Sequence, residues 1–279
     1  MKNAAALAVA LLLSPGVSLA QEGDAEEIPR SLRTEEAPPD LRTEEPNRDP
    51  FQEQLAMASN PKLPEAEAQR IFDELVSRGE IAVPSLAMVF KDTRSGDQEN
   101  WVAARALGRI GSDSARRALT KGLASPRIIT RLGAVSGLTL IASKDSVPAL
   151  EDALFDKAMT VRAAAADALA IIGHRKSSLA LSKALNLPAN FHRGKSHFVR
   201  LHIVKALGDV GSIGGIDALI GVLGEREDPL RVAAVQALEK ITGTSFRPMG
   251  SADTMPPSDS EVAQWRAWWS QRSVGEIAE

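Results

Sequence analysis

The chain has 279 residues, 44% of them hydrophobic, and a net charge of −3, so it is long enough to bury a sizeable core. It contains no cysteine, which excludes disulfide bonds, catalytic thiolates and zinc sites built on cysteine. Aromatic residues make up only 4% and tyrosine is absent, so small and aliphatic side chains must build the core. This composition suits closely packed helices.

The first twenty residues have the pattern of an export signal. Lys2 is followed by an apolar run over residues 4–13, and the small residues Ser18 and Ala20 stand where a signal peptidase reads. We predict a signal peptide over residues 1–20 with cleavage after Ala20, and a periplasmic or secreted bacterial protein. The apolar run is too short to anchor the chain as a transmembrane segment, and none is expected.

An acidic segment follows the predicted signal peptide. Residues 21–50 contain ten acidic residues against four arginines, and the pentapeptide Leu-Arg-Thr-Glu-Glu occurs twice, at 32–36 and 41–45. High charge with few large apolar residues is typical of disorder. We therefore predict an acidic disordered linker over residues 21–60.

One phrase then recurs five times. Its central leucines are separated by steps of 31, 31, 38 and 31 residues. Each leucine follows an alanine or a glycine and precedes, by three residues, an isoleucine or a valine. A fixed period of this size is typical of stacked units that cannot bury their apolar faces alone. The central leucines are Leu107, Leu138, Leu169, Leu207 and Leu238.

Each repeat predicts a pair of helices. Apolar residues recur at three- and four-residue steps both in the phrase and in a shorter segment that follows it. Gly111, Gly173 and Gly211 end the longer helices, where a left-handed cap favours glycine. No stretch alternates with period two, so strands are not expected. The shorter helices are predicted over residues 81–90, 114–123, 146–154, 177–185 and 214–223.

The best-preserved unit reads VRAAAADALAIIG, ending at Gly173, and a neighbouring second segment reads SVPALEDAL over 146–154. These residues resemble the HEAT-repeat family, in particular the short repeats first described in phycobilisome lyases. The resemblance covers residues 61–245. It implies an all-α fold, a right-handed α-solenoid of about six helical hairpins whose second helices line a concave face. The family includes scaffolds, adaptors and a few enzymes, so it implies no single activity.

Both ends depart from the repeat pattern. Glu74 replaces the small residue in the first unit, which predicts a polar cap on the stack. Residues 246–279 form a predicted Trp-rich capping segment, in which Trp265, Trp268 and Trp269 lie on one face of a helix. We favour a helix that covers the end of the core. The alternative is an aromatic platform for a glycan or a peptide.

Arginines recur near the start of the longer helices, at Arg131, Arg162, Arg200 and Arg231. We expect them to pair with acidic residues of the turns between repeats, such as Asp156 and Asp228, and to fix the stacking register. The alternative is a ladder of contacts to an anionic ligand.

The sequence offers no convergent catalytic set. All four histidines fall within residues 174–202, no two are four residues apart, and no acidic residue lies between Ala168 and Gly208. We predict no metal site and no cofactor. Phosphate-binding loops and the Gly-x-Ser-x-Gly and His-Glu-x-x-His motifs are absent. The chain is therefore predicted not to be an enzyme. The alternative is a lyase-type enzyme or chaperone-like subunit related to the phycobilisome-lyase proteins.

Charge supplies the strongest functional signal. Residues 114–208 hold fifteen basic and five acidic residues, and the 38-residue step inserts a long loop at 186–197. Insertions in repeat proteins often map to the binding face. We predict a basic partner-binding patch here, although solvated charge without a partner is the alternative. The predicted patch comprises Arg116, Arg117, Lys121, Arg175, Lys176, Lys183, Phe191, His192, Arg193 and Lys195.

These observations together predict a non-catalytic interaction scaffold or adaptor of the bacterial cell envelope. Its partner would be an acidic protein segment or an anionic envelope polymer. Nucleic acid is not an expected partner, because the chain is predicted to be exported. The acidic segment 22–49 is expected to cover the basic groove until a stronger anionic partner displaces it.

Overall fold

The computed structural model describes residues 49–92 and 94–275, and these form thirteen α-helices, most of them joined by short turns. The predicted signal peptide and residues 21–48 of the predicted linker lie outside the described residues. The helices are α1 Pro50–Ala58, α2 Glu65–Ser77, α3 Val83–Lys91, α4 Asp97–Ile110, α5 Asp113–Gly122, α6 Ile128–Ile141, α7 Val147–Ala153, α8 Met159–Ile172, α9 Ser178–Leu185, α10 Val199–Val210, α11 Ile216–Val222, α12 Asp228–Thr242 and α13 Asp259–Gly275.

The helices stack as predicted. The longer, first helices α2, α4, α6, α8, α10 and α12 each pack against the next one, and the shorter, second helices α3, α5, α7, α9 and α11 each follow a first helix. The predicted all-α solenoid is confirmed. None of the helices in the described part of the chain is long and apolar enough to cross a membrane.

Local chemistry explains where the helices end. Gly111, Gly173 and Gly211 each follow a first helix with φ of 66° to 68°, as the predicted left-handed caps require. Ala142 occupies the equivalent position after α6 with φ of 50°. A short 3₁₀ turn leads into most second helices, and Pro148 stands in the first turn of α7, where its missing N–H costs nothing.

Small residues allow the first helices to approach closely. A Cβ atom added to Gly108 would lie 2.9 Å from the carbonyl oxygen of Gly137, and one added to Gly208 would lie 2.8 Å from the Cβ atom of Ala237. Between these contacts the central leucine of every repeat is fully buried. At these two interfaces the glycine after one central leucine meets the small residue before the next, and the absence of larger side chains there lets the first helices approach closely.

The ordered repeats begin earlier than the sequence indicated. The linker was predicted to extend to residue 60, but α1 occupies Pro50–Ala58. The Phe51 N–H donates to Asp49 Oδ1 at 2.9 Å, which caps the helix, and Leu55 is buried in the core. Gln54 Nε2 donates to Glu74 Oε1 at 3.3 Å, so α1 lies over the polar face that was predicted to cap the stack. The high charge of the segment concealed one short amphipathic helix.

The inserted loop contains a small β-hairpin, although strands were not expected. Strand β1, Phe191–His192, pairs antiparallel with β2, Lys195–Ser196. The turn residues Arg193 and Gly194 have φ of 50° and 75°, which is the requirement of a tight two-residue hairpin turn. Strands of two residues are too short to produce a visible alternation in the sequence.

The last helix covers the end of the core. The Trp265 side chain is fully buried, and Phe246 meets it edge to face with ring centroids 4.8 Å apart. Trp268 and Trp269 are half-buried, and the Trp269 indole N–H donates to the Asp217 carboxylate on α11. This geometry favours the capping interpretation over an open aromatic platform.

Candidate functional site: the second-helix face

The recurring arginines are structural. Arg131 is only 3% exposed, and its Nε and Nη2 atoms donate to the two carboxylate oxygens of Asp156 at 2.7 and 2.8 Å. Its Nη1 atom donates to the carbonyl oxygens of Ser125 and Pro126. The side chain thus joins the turn before its own helix to the turn of the next repeat, which confirms the predicted register role at this position.

The arginines of the other repeats form similar contacts with different partners. Arg200 is fully buried and donates to both carboxylate oxygens of Glu225 at 2.6 Å. Among the described residues Arg162 forms no ion pair, and its Nε atom donates to Asn190 Oδ1 at 2.8 Å. Arg231 donates to Asp228 at 3.3 Å and to the Pro257 carbonyl at 2.8 Å.

Asp156 remains ionised within this ladder. Burial acts to raise the pKa of its carboxyl group, but the hydrogen bonds from Arg131 and from the Ala158 N–H outweigh burial and lower the pKa below its usual range. The buried guanidinium and the lowered carboxyl pKa are those of a satisfied ion pair, in which Arg131 uses four of its five N–H donors within the fold.

The histidines do not form a metal site among the described residues, where no three metal-ligating side chains converge. His192 and His197 stack with ring centroids 6.2 Å apart. His202 Nδ1 lies 2.8 Å from Asp167 Oδ1 on the neighbouring helix. No sequence pattern indicated this pair, because Asp167 lies 35 positions earlier and just outside the stretch without acidic residues.

We define the second-helix face by three positions in each repeat, counted from the buried leucine of the second helix. They lie five residues before this leucine, two residues before it and two residues after it. Apart from the half-buried Ser114, every side chain or glycine at these positions is exposed. Hydrogen bonds from Ser114 to Glu80 and from Ser178 to Ser212, together with the Arg116–Asp145 contact, show that the second helices follow one another in chain order. The face carries Ile81, Pro84 and Met88 at α3, Ser114, Arg117 and Lys121 on α5, Asp145, Pro148 and Asp152 at α7, Lys176, Leu179 and Lys183 at α9, and Gly214, Asp217 and Gly221 at α11.

The predicted basic patch is divided on this face. Arg117 and Lys121 lie on α5, whereas Lys176 and Lys183 lie on α9 and the turn before it. Between them α7 presents acidic side chains, and Asp152 is exposed. The predicted patch is therefore interrupted by α7, since a charge sum along the sequence does not record which helix carries each side chain.

Other predicted site residues lie elsewhere. Arg116 points to Asp113 at 3.3 Å and Asp145 at 3.6 Å, and is therefore partly neutralised. Arg175 is exposed in the 3₁₀ turn before α9. The Arg200 guanidinium stacks over the Phe191 ring at 4.4 Å, so this ring supports the ladder. The remaining three, His192, Arg193 and Lys195, are exposed on the hairpin.

A shallow groove of about 280 Å³ separates α3 from α5. Arg117 and Lys121 form its basic side, and Val83 and Pro84 line its apolar side. Glu80 lies at one end, where hydrogen bonds from Ser112 and Ser114 lower the pKa of its carboxyl group. This groove combines an apolar wall with two cations and the Glu80 carboxylate, whose pKa Arg117 also helps to lower.

Some side chains of the first helices interact between neighbouring repeats. Asp209 pairs with Lys240 at 2.5 Å and Asp167 contacts His202, whereas Arg109 and Lys205 form no ion pair among the described residues. Within the described residues, the second-helix charges Arg117, Lys121, Asp152, Lys176 and Lys183 form no ion pair.

Comparison with known proteins supports the repeat assignment. Residues 117–193 match HEAT repeats, which confirms the family resemblance. Human deoxyhypusine hydroxylase in complex with glycerol is 16% identical, with 70% of this chain and 96% of that chain covered and a TM-score of 0.35. An engineered protein is 22% identical, with 69% and 89% covered and a TM-score of 0.43. The complex of CpcE and CpcF of phycocyanin lyase from Nostoc sp. PCC7120 is 20% identical, with 78% and 82% covered and a TM-score of 0.40. No curated protein matches the chain.

Proposed function

We propose that this chain, whose residues 117–193 are HEAT repeats, is a non-catalytic protein-interaction scaffold that binds an acidic protein segment on its second-helix face. One observation carries the proposal: five exposed charges of the second-helix face form no ion pair within the described chain, namely Arg117, Lys121, Asp152, Lys176 and Lys183. Unpaired charges arranged by a rigid stack of helices are available to a partner without prior reorganisation.

The apolar content of this face supports the same function. Ile81, Met88 and Leu179 are 74%, 59% and 61% exposed, respectively. Exposed side chains of this size contribute to binding when a partner covers them, because their contact with water is then lost. Arg117 and Lys121 beside the α3–α5 groove provide donors for carboxylates of the same partner.

The proposed location is the bacterial cell envelope. The motivation is the N-terminal sequence, with Lys2, the apolar run and Ala20 in the order of an export signal. A non-catalytic role is in keeping with the way the face spreads its charges over several repeats, whereas an active site needs groups that converge on one reacting atom.

Site-directed photo-cross-linking in living cells tests this function. A photoreactive residue in place of Lys121 or Lys183 should form adducts with the same protein, because both positions lie on the second-helix face. Matched controls replace Arg109 and Lys205, which are exposed on first helices. Equal labelling from the first-helix positions, or no protein adduct from Lys121 and Lys183, would overturn the proposal.

A further inference from the structure

We infer that the partner is an extended protein segment whose side chains alternate in charge, in the order apolar, acidic, basic, acidic along the stack. This inference rests on the proposed function and specifies the ligand of the same face. It commits to a protein segment of defined pattern, which differs from a uniformly acidic ligand.

Charge complementarity carries the inference. The face is apolar at α3, basic at α5, acidic at α7 and basic at α9. A uniformly acidic ligand would place carboxylates against Asp145 and Asp152, and like charges brought together oppose binding. A ligand that carries a lysine or an arginine opposite α7 would instead pair with Asp152, which has no ion-pair partner in the described chain.

The spacing of the helices selects an extended chain. Packed helices lie about 10 Å apart, and an extended chain advances about 3.3 Å per residue, so every third residue would meet the next helix. A helical ligand, about 10–12 Å across, would have to lie over the repeats. Because a helix rises only about 1.5 Å per residue, it would need about seven residues to advance from one repeat to the next. The α3–α5 groove of about 280 Å³ offers room for side chains of an extended segment.

The two ends of the pattern are fixed by different chemistry. Ile81 and Met88 give α3 an apolar surface, which selects an apolar side chain at one end of the segment. On α11 the only charged side chain of the face is Asp217, and it accepts a hydrogen bond from Trp269 of the capping helix. The recognition pattern therefore spans α3 to α9 and requires about ten residues of extended chain.

Fluorescence anisotropy with synthetic peptides and the full mature chain tests the inference. The matched peptide carries leucine, glutamate, lysine and glutamate at every third residue, with serine between them, and is made in both chain directions. The permuted peptide has the same composition, with the lysine exchanged for the first glutamate. A third peptide carries the same four residues seven positions apart in a helix-forming sequence.

One direction of the matched peptide should bind roughly tenfold more tightly than the permuted peptide at low ionic strength, because two misplaced charges meet like charges. Asp152→Lys should remove most of this preference and favour a peptide with glutamate in the third place. The control Glu67→Lys makes the same change in net charge at an exposed residue of α2, and should leave the preference intact.

The outcomes separate the two proposals. Equal binding of matched and permuted peptides, or no binding of either, would overturn the alternating pattern, and adducts from Lys121 and Lys183 would then still support the scaffold. Tighter binding of the helical peptide would overturn the extended geometry. Loss of both the peptide preference and the cross-linked adducts would remove the proposed function as well.

Discussion

The arginine ladder makes a sharp prediction about stability. Asp156→Ala removes two charge-assisted hydrogen bonds to Arg131 and the cap that the carboxylate provides to the Ala158 N–H. Because Arg131 is only 3% exposed, its guanidinium would remain buried without a counter-charge. Removal of one partner of a buried ion pair costs about 3–5 kcal/mol, so we expect a loss of that size in the free energy of unfolding.

Urea denaturation at neutral pH measures this loss, with Arg131→Met and the double variant completing a thermodynamic cycle. The double variant should be less destabilised than Asp156→Ala alone, because no unpaired charge stays buried. A loss below about 1 kcal/mol for Asp156→Ala would show that this pair contributes no more than an exposed ion pair, contrary to its burial.

The same pair gives a pH dependence. The pKa of the Asp156 carboxyl is lowered in the folded protein, so its contribution to stability is fully present above the ordinary aspartate pKa of about 3.9. The contribution is lost as the pH falls through the lowered folded-state pKa. The difference in stability between the wild-type protein and Asp156→Ala should therefore shrink on acidification below about pH 4. A difference that stays constant down to pH 2 would contradict this.

Three further predictions follow from the stack, its cap and the acidic segment. Leu169→Ala should cost about 2–5 kcal/mol in chemical denaturation, because the leucine is fully buried between two repeats; a cost below about 0.5 kcal/mol would contradict its place in the core. Deletion of residues 258–279 should expose the core that Trp265 covers and cause aggregation in light scattering, whereas an unchanged monomer would favour the aromatic platform. Deletion of residues 22–48 should raise the affinity for an acidic peptide at low salt and have little effect at high salt; equal affinities across a salt series would make the segment a spacer.

The sequence predicted the helices well because their determinants are local. The period of the apolar residues, the small residue before each leucine and the glycines at the helix ends act within one repeat. Helix α1 was missed because it was grouped with the highly charged residues 21–49, although it carries one charge, Glu53, and three large apolar residues, Phe51, Leu55 and Met57.

The divided binding face could not be predicted from charge along the chain. Arg131, Arg162 and Arg200 count among the fifteen basic residues of 114–208, yet the structure buries all three. Only five acidic residues occur in that stretch, yet the fold places two of them, Asp145 and Asp152, between the two basic helices. Which charges meet solvent depends on the face of each helix and on partners from other repeats.

The insertion also has a role that its composition did not indicate. Asn190 is fully buried, accepts a hydrogen bond from Arg162 and donates one to the Ala184 carbonyl oxygen. It thereby replaces the carboxylate that Arg131 and Arg200 find in the next turn. The loop was predicted to bind a partner because it carries basic residues, but its buried part keeps the repeats joined across the longer step.

The second-helix face is the proposed binding surface. Its most direct test is the yield of photo-cross-linked adduct from position 183 in a charge-exchanged variant, Arg117→Glu, Lys121→Glu, Asp145→Lys and Asp152→Lys, which keeps the net charge of the protein. Each exchanged side chain would face a charge of the same sign on the partner and repel it, so the yield should fall roughly tenfold. An adduct that forms with unchanged yield would show that the partner does not bind this face.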